Sequence, residues 1–329
     1  MHRPRLIAAI ALAATLALAG CSGTSSAATL AASPSASATA AYPRTVSVGD
    51  RDVTLTAQPT RIVPMSWEVS DLALELAGPE RMAAVSDGSL SATSGNHVAL
   101  AEQVATVLPY TTEPDPEQVL ALAPDLVLLV ARHPGEQTVA DTLEQSGVPV
   151  VVFSDADFAT PDALAASIVV LGRLFGTEQV AQDAADTLQD QVAEVTSAVA
   201  DVSDRPRVLV LMARGPKVME QSQDATLNVL VELAGGTAIA VEQGLDQTVP
   251  VDAEQILAAN PDIILAEDFE GSGLGPFGSV LSSAALVTVP AVANQQIHAI
   301  STTIASSTST TRTGEGLREI AELLQPEAF

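Results

Sequence analysis

The sequence is poor in cysteine, aromatic residues and positive charge. Of its 329 residues one is Cys and 3% are aromatic, and 14 Lys or Arg face 40 Asp or Glu, for a net charge of -26. A single thiol cannot form an internal disulfide, which excludes the small disulfide-stapled scaffolds. Such a negative chain repels phosphate backbones, so we expect no nucleic-acid partner. Yet 47% hydrophobic residues are too many for a disordered acidic chain.

Several motifs that mark common enzymes are also missing. The chain has no Gly-x-Ser-x-Gly, no His-Glu-x-x-His and no Gly-Lys-Ser/Thr loop. Residues 273–278 match a dinucleotide fingerprint formally, but Pro276 interrupts it, and we interpret it as a flexible loop. His97, His133 and His298 are widely spaced, which argues against a bare zinc or manganese site. A secreted surface enzyme stays open as the competing class, and an adhesive lipoprotein is a third.

The N-terminus is typical of a lipoprotein signal. Arg3 and Arg5 precede an uncharged apolar run, which ends at Leu18-Ala-Gly-Cys21. We predict that residues 1–20 are a signal peptide and that Cys21 is lipidated, which places the protein outside the cytoplasm, held to the cell membrane. The alternative is an uncleaved anchor or a free thiol, but the 14 residues 6–19 are fewer than the about 20 that span a bilayer. Residues 21–43, rich in Ser, Ala and Thr, are predicted to be a flexible tether.

The rest of the chain alternates short apolar runs with segments of helical pattern. This alternation predicts an α/β fold with buried, mostly parallel strands. The predicted strands are Arg61 to Met65, Leu126 to Val130, Val148 to Phe153, Val208 to Met212 and Ile263 to Ala266.

An internal repeat predicts two similar lobes. Residues 115–129 align with residues 252–266, each with an Asp, a Glu-Gln pair, a helical stretch, Pro-Asp and an apolar strand. A second, shorter repeat relates residues 74–78 to residues 231–235, and each copy precedes the longer repeat in its half of the chain. We therefore expect two Rossmann-like lobes, at 44–160 and 204–329.

The segment 161–203 is predicted to be helical and to join the two lobes. Its second part, from Thr177 to about Val202, carries apolar residues at steps of three or four along one face. Some 26 helical residues would extend about 39 Å, enough for a spine between lobes with a ligand cleft. The alternative is a long surface helix within one domain.

Over residues 57–329 the chain resembles the substrate-binding lipoproteins of ABC importers for iron-siderophores, haem and cobalamin, the helical-backbone class of periplasmic binding proteins. The resemblance rests on the opening strand in Gln58-Pro-Thr-Arg-Ile-Val-Pro-Met65, on the helix 72–78 and on both repeat copies. It implies a non-enzymatic monomer that binds a small metal chelate and docks on a permease and ATPase complex. An iron-siderophore is the first choice of ligand, with haem second and cobalamin third.

The resemblance assigns a docking role to Glu117 and Glu254. In that family a glutamate from each lobe meets an arginine pocket on the permease, and these two residues occupy the same register in the two repeat copies. Two carboxylate–guanidinium pairs would set the orientation in which the protein docks on the permease and would also attract the two partners. The alternative is that both are solvated acids in the first turn of a helix.

Candidate ligand-binding residues follow the predicted strands, because ligands of doubly wound sheets bind beyond the carboxyl ends of the strands. Trp67 is interpreted as an aromatic wall or a rim residue, and Arg214 as a donor to an anionic siderophore or a haem propionate. His133 is the best axial-ligand candidate for haem, or else polar lining. Haem-binding members of that family often carry a ligand tyrosine two residues before such an arginine, and here Met212 holds that position. The complete set is Trp67, Tyr110, Arg132, His133, Met212 and Arg214.

Overall fold

The computed structural model of the protein describes residues 41–49 and 51–329. The predicted signal peptide, Cys21 and most of the predicted tether lie outside these residues. No helix in the described part of the chain is both long enough and apolar enough to cross a membrane.

Strands and helices alternate along the chain, as the sequence predicts. The strands are β1 Arg44–Val48, β2 Arg51–Leu55, β3 Ile62–Pro64, β4 Val85–Ser86, β5 Val107–Leu108, β6 Leu126–Val130, β7 Val150–Phe153, β8 Arg207–Arg214, β9 Lys217–Glu220, β10 Thr237–Ala238, β11 Val249–Pro250, β12 Ile263–Asp268 and β13 Ile297–Ser301. The α-helices are α1 Trp67–Ala77, α2 Val98–Ala101, α3 Pro116–Ala121, α4 Pro134–Gln145, α5 Ala156–Ala159, α6 Pro161–Phe175, α7 Glu178–Ala198, α8 Thr226–Leu233, α9 Ile239–Gln243, α10 Ala253–Ala259, α11 Gly278–Leu281, α12 Pro290–Ala293, α13 Thr302–Ala305 and α14 Thr313–Leu324.

Each lobe is built on a parallel sheet with the same strand order. In the first lobe β3 lies between β6 and a single parallel bridge to Met82, and β7 follows β6. In the second lobe β8 lies between β10 and β12, and β13 follows β12. The second sheet is extended by the antiparallel strands β9 and β11. Apolar clusters cover both faces of each sheet, which explains why these strands are almost continuously apolar.

The two repeat copies form the same corner in both lobes. Asp125 accepts hydrogen bonds from the backbone N–H of Thr60 and Arg61 at 2.8 and 2.9 Å, and Asp262 accepts one from the N–H of Arg207 at 2.9 Å. Each of these arginines in turn donates from its guanidinium to carbonyls at the C-terminal end of α3 or α10. The guanidinium thus satisfies helix carbonyls that lack intrahelical partners. An Arg-Asp clasp therefore ties helix to strand in each lobe.

Helix α7 connects the two cores. Its first half buries Ala181, Ala185 and Leu188 in the first-lobe core, and its second half buries Val195 in the second-lobe core. The helix has 21 residues, so it is about 32 Å long and shorter than expected. It ends at Ala198 because the segment that follows contains Ser, Asp and Pro206, which favour extended backbone.

Helix α6 pairs with α7 as an antiparallel hairpin and packs into the first-lobe core. Gly172 permits the close approach, since a Cβ there would lie 2.3 Å from the Cβ of Ala181. The two-lobe α/β fold with a connecting helix is thus confirmed, while the exact domain boundaries stay predictions.

Candidate functional site

The strand order of each lobe places a crevice at the carboxyl ends of its two central strands. In sheets with this order, ligands bind outside the edge where the chain connections diverge, here between β3 and β6 and between β8 and β12. Residues that follow these strands therefore converge on the space between the lobes.

A cavity of about 420 Å³ occupies this position and is lined from both lobes. Arg132, Asp155 and Ala159 contribute from the first lobe. The second lobe contributes Met212, Arg214, Gln221, Ser222, Asp224, Ala225, Thr226, Leu227, Asp246, Thr248, Glu267, Phe269, Ser306, Ser307 and Thr308. The volume is within the usual range for small-molecule sites, about 300–1,000 Å³. We call this space the interlobe cleft.

Arg132 is held rigidly at the first-lobe side of the cleft. Its Nη2 lies 2.5 Å from Oε1 of Glu68 and its Nε lies 2.6 Å from Oδ1 of Asp155. Burial raises the pKa of Glu68, although the charge of Arg132 opposes the rise. The guanidinium therefore has two acidic partners, and these contacts fix its orientation before any ligand arrives.

Arg214 and Met212 lie on the opposite side, at the end of β8. Arg214 is exposed, and its side chain makes no hydrogen bond or ion pair with any other residue that the structure describes. Met212 is 7% exposed and pairs in register with Glu267 of β12. An unengaged guanidinium beside an apolar thioether can donate to ligand oxygens while the thioether packs against the ligand body.

Glu267 is a buried acid within the cleft wall. It is 6% exposed and accepts a hydrogen bond from the side-chain amide of Gln221. Burial raises the pKa of Glu267 to about 8, although this hydrogen bond and the charge of Arg214 oppose the rise. Glu267 is therefore mostly protonated at neutral pH and can then act as a hydrogen-bond donor.

Trp67 and Tyr110 contact each other but are not among the residues that line the cleft. Their ring centroids are 6.1 Å apart in an edge-on arrangement, and the indole N–H of Trp67 donates to Asp87 at 3.2 Å. Burial raises the pKa of the Tyr110 phenol, and Glu136 adds to the rise. The charge of Arg132 opposes this rise.

His133 is exposed at the N-terminus of α4 and is not part of the cleft lining either. Its backbone N–H donates to Oε2 of Glu136 at 2.8 Å. The structure thus brings together Arg132, Met212 and Arg214 from the predicted set. Ligand-binding roles for all six predicted residues stay predictions. Within residues 41–49 and 51–329, no cluster of three or more His, Cys, Asp or Glu side chains is arranged to hold a metal ion.

The lobes also contact each other through α1 and through Asn96. Asn96 donates to the carbonyl of Thr308 at 2.8 Å, Thr311 donates to Oε2 of Glu75 at 2.8 Å, and Ser307 donates to Oε1 of Glu68 at 3.3 Å. These polar contacts join the first lobe to the segment that follows β13.

Several cleft residues were missed in the sequence. Asp155 lies two residues beyond the end of β7, as Arg132 does beyond β6, so the rule that selected Arg132 would also have selected it. Glu267 directly follows the predicted strand Ile263 to Ala266, so the same rule would have selected it too. Residues 306–308 carried no signal, because β13 before them was not predicted.

Glu117 and Glu254 have matching environments in the two lobes. Each is exposed in the first turn of its helix, and each donates its backbone N–H to the preceding N-cap aspartate at 2.9 Å, Asp115 in one lobe and Asp252 in the other. Since α3 and α10 each lead into the amino end of a parallel strand, their first turns lie toward the carboxyl edge of the sheet. Both glutamates therefore lie on the side of the lobes where the cleft opens.

The chain matches the sequence model of a known protein family. Residues 62–303 match the sequence model of the periplasmic binding proteins. No curated protein matches the chain by sequence.

Solved structures with a similar fold include the following three. The periplasmic haem-binding protein RhuT from Roseiflexus sp. RS-1, in apo form, is 22% identical, with 82% of this chain and 99% of that chain covered and a TM-score of 0.69. A periplasmic binding protein from Veillonella parvula is 18% identical, with coverages of 86% and 97% and a TM-score of 0.70. A periplasmic haem-binding protein from Pseudomonas aeruginosa is 21% identical, with coverages of 82% and 94% and a TM-score of 0.68.

Proposed function

Because the chain belongs to the periplasmic binding protein family, we propose that it captures a chelated-metal ligand outside the cytoplasm and delivers it to the permease of an ABC importer. Members of the family work with a permease and an ATPase. The first candidate ligand is an iron-siderophore. The protein acts as a carrier in this proposal, so its cargo is a transported substrate and not a resident cofactor.

The observation that carries this proposal is the interlobe cleft. It is lined by both lobes at the carboxyl ends of β6, β8 and β12, and it joins charged groups with an apolar wall. Met212, Leu227 and Phe269 provide apolar surface, and Arg214 provides donors that are not already engaged. A few placed polar groups in a mainly formed pocket are typical of small-molecule sites.

The helix α7 limits how the lobes move. A single helix that is buried in both cores resists a large hinge rotation, so the cleft is expected to be largely formed before the ligand binds. In this proposal, loading changes local order around the cleft more than the overall shape.

Haem is the second candidate. Met212 lines the cleft close to Arg214, and a methionine thioether is a known ligand of haem iron. The haem-binding proteins of similar fold are 21–22% identical to this chain, so they support the fold alone. A cobalamin is third.

Attachment to the membrane is part of the proposal. Cys21 would carry the lipid and residues 21–43 would tether the folded lobes near the permease. Labelling with a fatty acid analogue, lost on Cys21→Ala, is the direct check of this step.

The proposed function is tested by titrating the purified protein with a ferric siderophore, haemin and cobalamin. Binding is followed by visible absorption and by quenching of Trp67 fluorescence. We expect at least one ligand to bind and Arg214→Ala to weaken it about ten- to a hundredfold, because hydrogen bonds from a charged donor contribute about 1.5–3 kcal/mol. A haemin Soret shift that is lost on His133→Ala or Met212→Ala would favour haem over a siderophore.

Arg51→Ala is the matched control, since Arg51 is an exposed first-lobe arginine outside the cleft lining. It should leave every affinity unchanged. Absence of binding by all three ligands would contradict the proposal and favour the alternative that the protein is a secreted enzyme.

A further inference from the structure

The charged groups of the interlobe cleft are mostly acidic. Its lining contains the carboxyl groups of Asp155, Asp224, Asp246 and Glu267 against the guanidinium groups of Arg132 and Arg214. A ligand that enters the cleft therefore meets more carboxyl groups than guanidinium groups.

One of the two cations is already neutralised. Arg132 is within 2.6 Å of carboxylate oxygens on both Asp155 and Glu68, and Glu68 lies behind the lining. This leaves Arg214 as the unengaged cation of the lining, opposed by the exposed acids Asp224 and Asp246. Glu267 lies in the same wall and is uncharged whenever its proton is retained.

The surroundings of the cleft are also negatively charged. Asp268 and Glu270 line an adjoining cavity of about 340 Å³ that shares Glu267 and Phe269 with the cleft. The whole chain carries a net charge of -26. Long-range and local fields thus both oppose the entry of an anion.

Resting on the proposed function, we infer that the cleft selects ferric chelates whose net charge is zero or positive, which is the charge of trihydroxamate complexes. Three hydroxamates, each with one negative charge, exactly balance Fe³⁺, and an amine on the chelator makes the complex a cation. Three catecholates leave a net charge of 3-, and haem carries two propionates. Arg214 then donates to the iron-bound hydroxamate oxygens, while Asp224 and Asp246 face the neutral or cationic periphery.

The test is calorimetric titration of the purified protein with four probes of different charge. These are ferrioxamine B, a cationic trihydroxamate, ferrichrome, a neutral one, ferric enterobactin, an anionic tris-catecholate, and haemin. We expect the trihydroxamates to bind at least about tenfold more tightly than the tris-catecholate at low ionic strength, with a difference that shrinks as salt is added.

A pair of charge variants assigns the selectivity to the cleft. Asp224→Asn with Asp246→Asn should weaken ferrioxamine B binding about three- to tenfold and narrow its advantage over ferric enterobactin. Asp183→Asn with Asp186→Asn removes the same charge from the exposed surface of α7 and should leave the ratio unchanged.

The outcomes separate the inference from the proposed function. Equal or tighter binding of ferric enterobactin or haemin would overturn the inference and leave a chelate carrier in place. An equal effect of the α7 control pair would also overturn it, because the selectivity would then come from net charge alone. Absence of binding by all four probes would overturn the proposed function itself.

Discussion

Reversing Glu117 and Glu254 to Lys should reduce ligand uptake by cells at least about a hundredfold while the ligand affinity of the purified protein stays unchanged. We propose that these carboxylates meet guanidinium groups on the permease, so lysines would place like charges together at two points. Juxtaposed like charges at an interface cost several kcal/mol, and each 1.4 kcal/mol is tenfold in affinity.

The geometry supports equal roles for the two glutamates. Each lies in the first turn of a helix behind an aspartate N-cap, and each is exposed. Neither lines the interlobe cleft, so their substitution should not touch the ligand. Single substitutions should have intermediate effects, because one docking point remains.

Glu102→Lys with Glu319→Lys is the matched control for this experiment. Both residues are exposed, one lies in each lobe, and the change in net charge is the same. Uptake of radioactive iron chelate should be normal in the control strain. Normal uptake in the Glu117 and Glu254 double variant, or loss of ligand affinity in its purified protein, would contradict the docking role.

Between pH 5 and pH 9 the free energy of unfolding of the native protein should fall by about 4 kcal/mol more than that of the Glu267→Gln variant. Burial raises the pKa of Glu267 from its ordinary 4.5 to about 8. The folded protein therefore holds this proton at pH values where the unfolded chain releases it. The contribution of Glu267 is most favourable below its ordinary pKa and is lost as the pH rises through about 8, at about 1.36 kcal/mol for each pH unit.

The measurement is denaturant unfolding, followed by circular dichroism, of both proteins from pH 5 to pH 9. Glutamine keeps an amide that can pair with Gln221, so the variant should gain stability relative to the native protein as the pH rises. Glu270→Gln, at an exposed position three residues along, should follow the native curve. Parallel curves for native and Glu267→Gln proteins would contradict the assigned burial.

The duplicated architecture was predictable because its signals are local. The strands, the helix–Pro-Asp–strand copies and the helical connection all follow from apolar periodicity and turn residues. The Arg61–Asp125 and Arg207–Asp262 clasps were not predicted, since each joins two segments that lie 64 or 55 positions apart in the chain.

The cleft was only partly predictable for a similar reason. Arg132, Met212 and Arg214 lie at or after predicted strands, and the strand-end rule found them. The role of Glu68 depends on its contact with Arg132, which comes 64 residues later in the chain, and local sequence pattern does not reveal such a contact. Trp67 obeys the same rule as Arg132, yet its ring turns toward Tyr110 and Asp87.

Binding of an iron chelate between the two lobes is tested most directly by anomalous diffraction at the iron absorption edge. The crystals are grown with whichever of ferrioxamine B, ferrichrome, ferric enterobactin and haemin binds the purified protein most tightly. We expect a single strong iron peak inside the cleft, with the chelate in contact with Arg214 and Met212 and facing Arg132. An iron peak on the outer surface of one lobe, or crystals of the mixture with no bound iron, would contradict it.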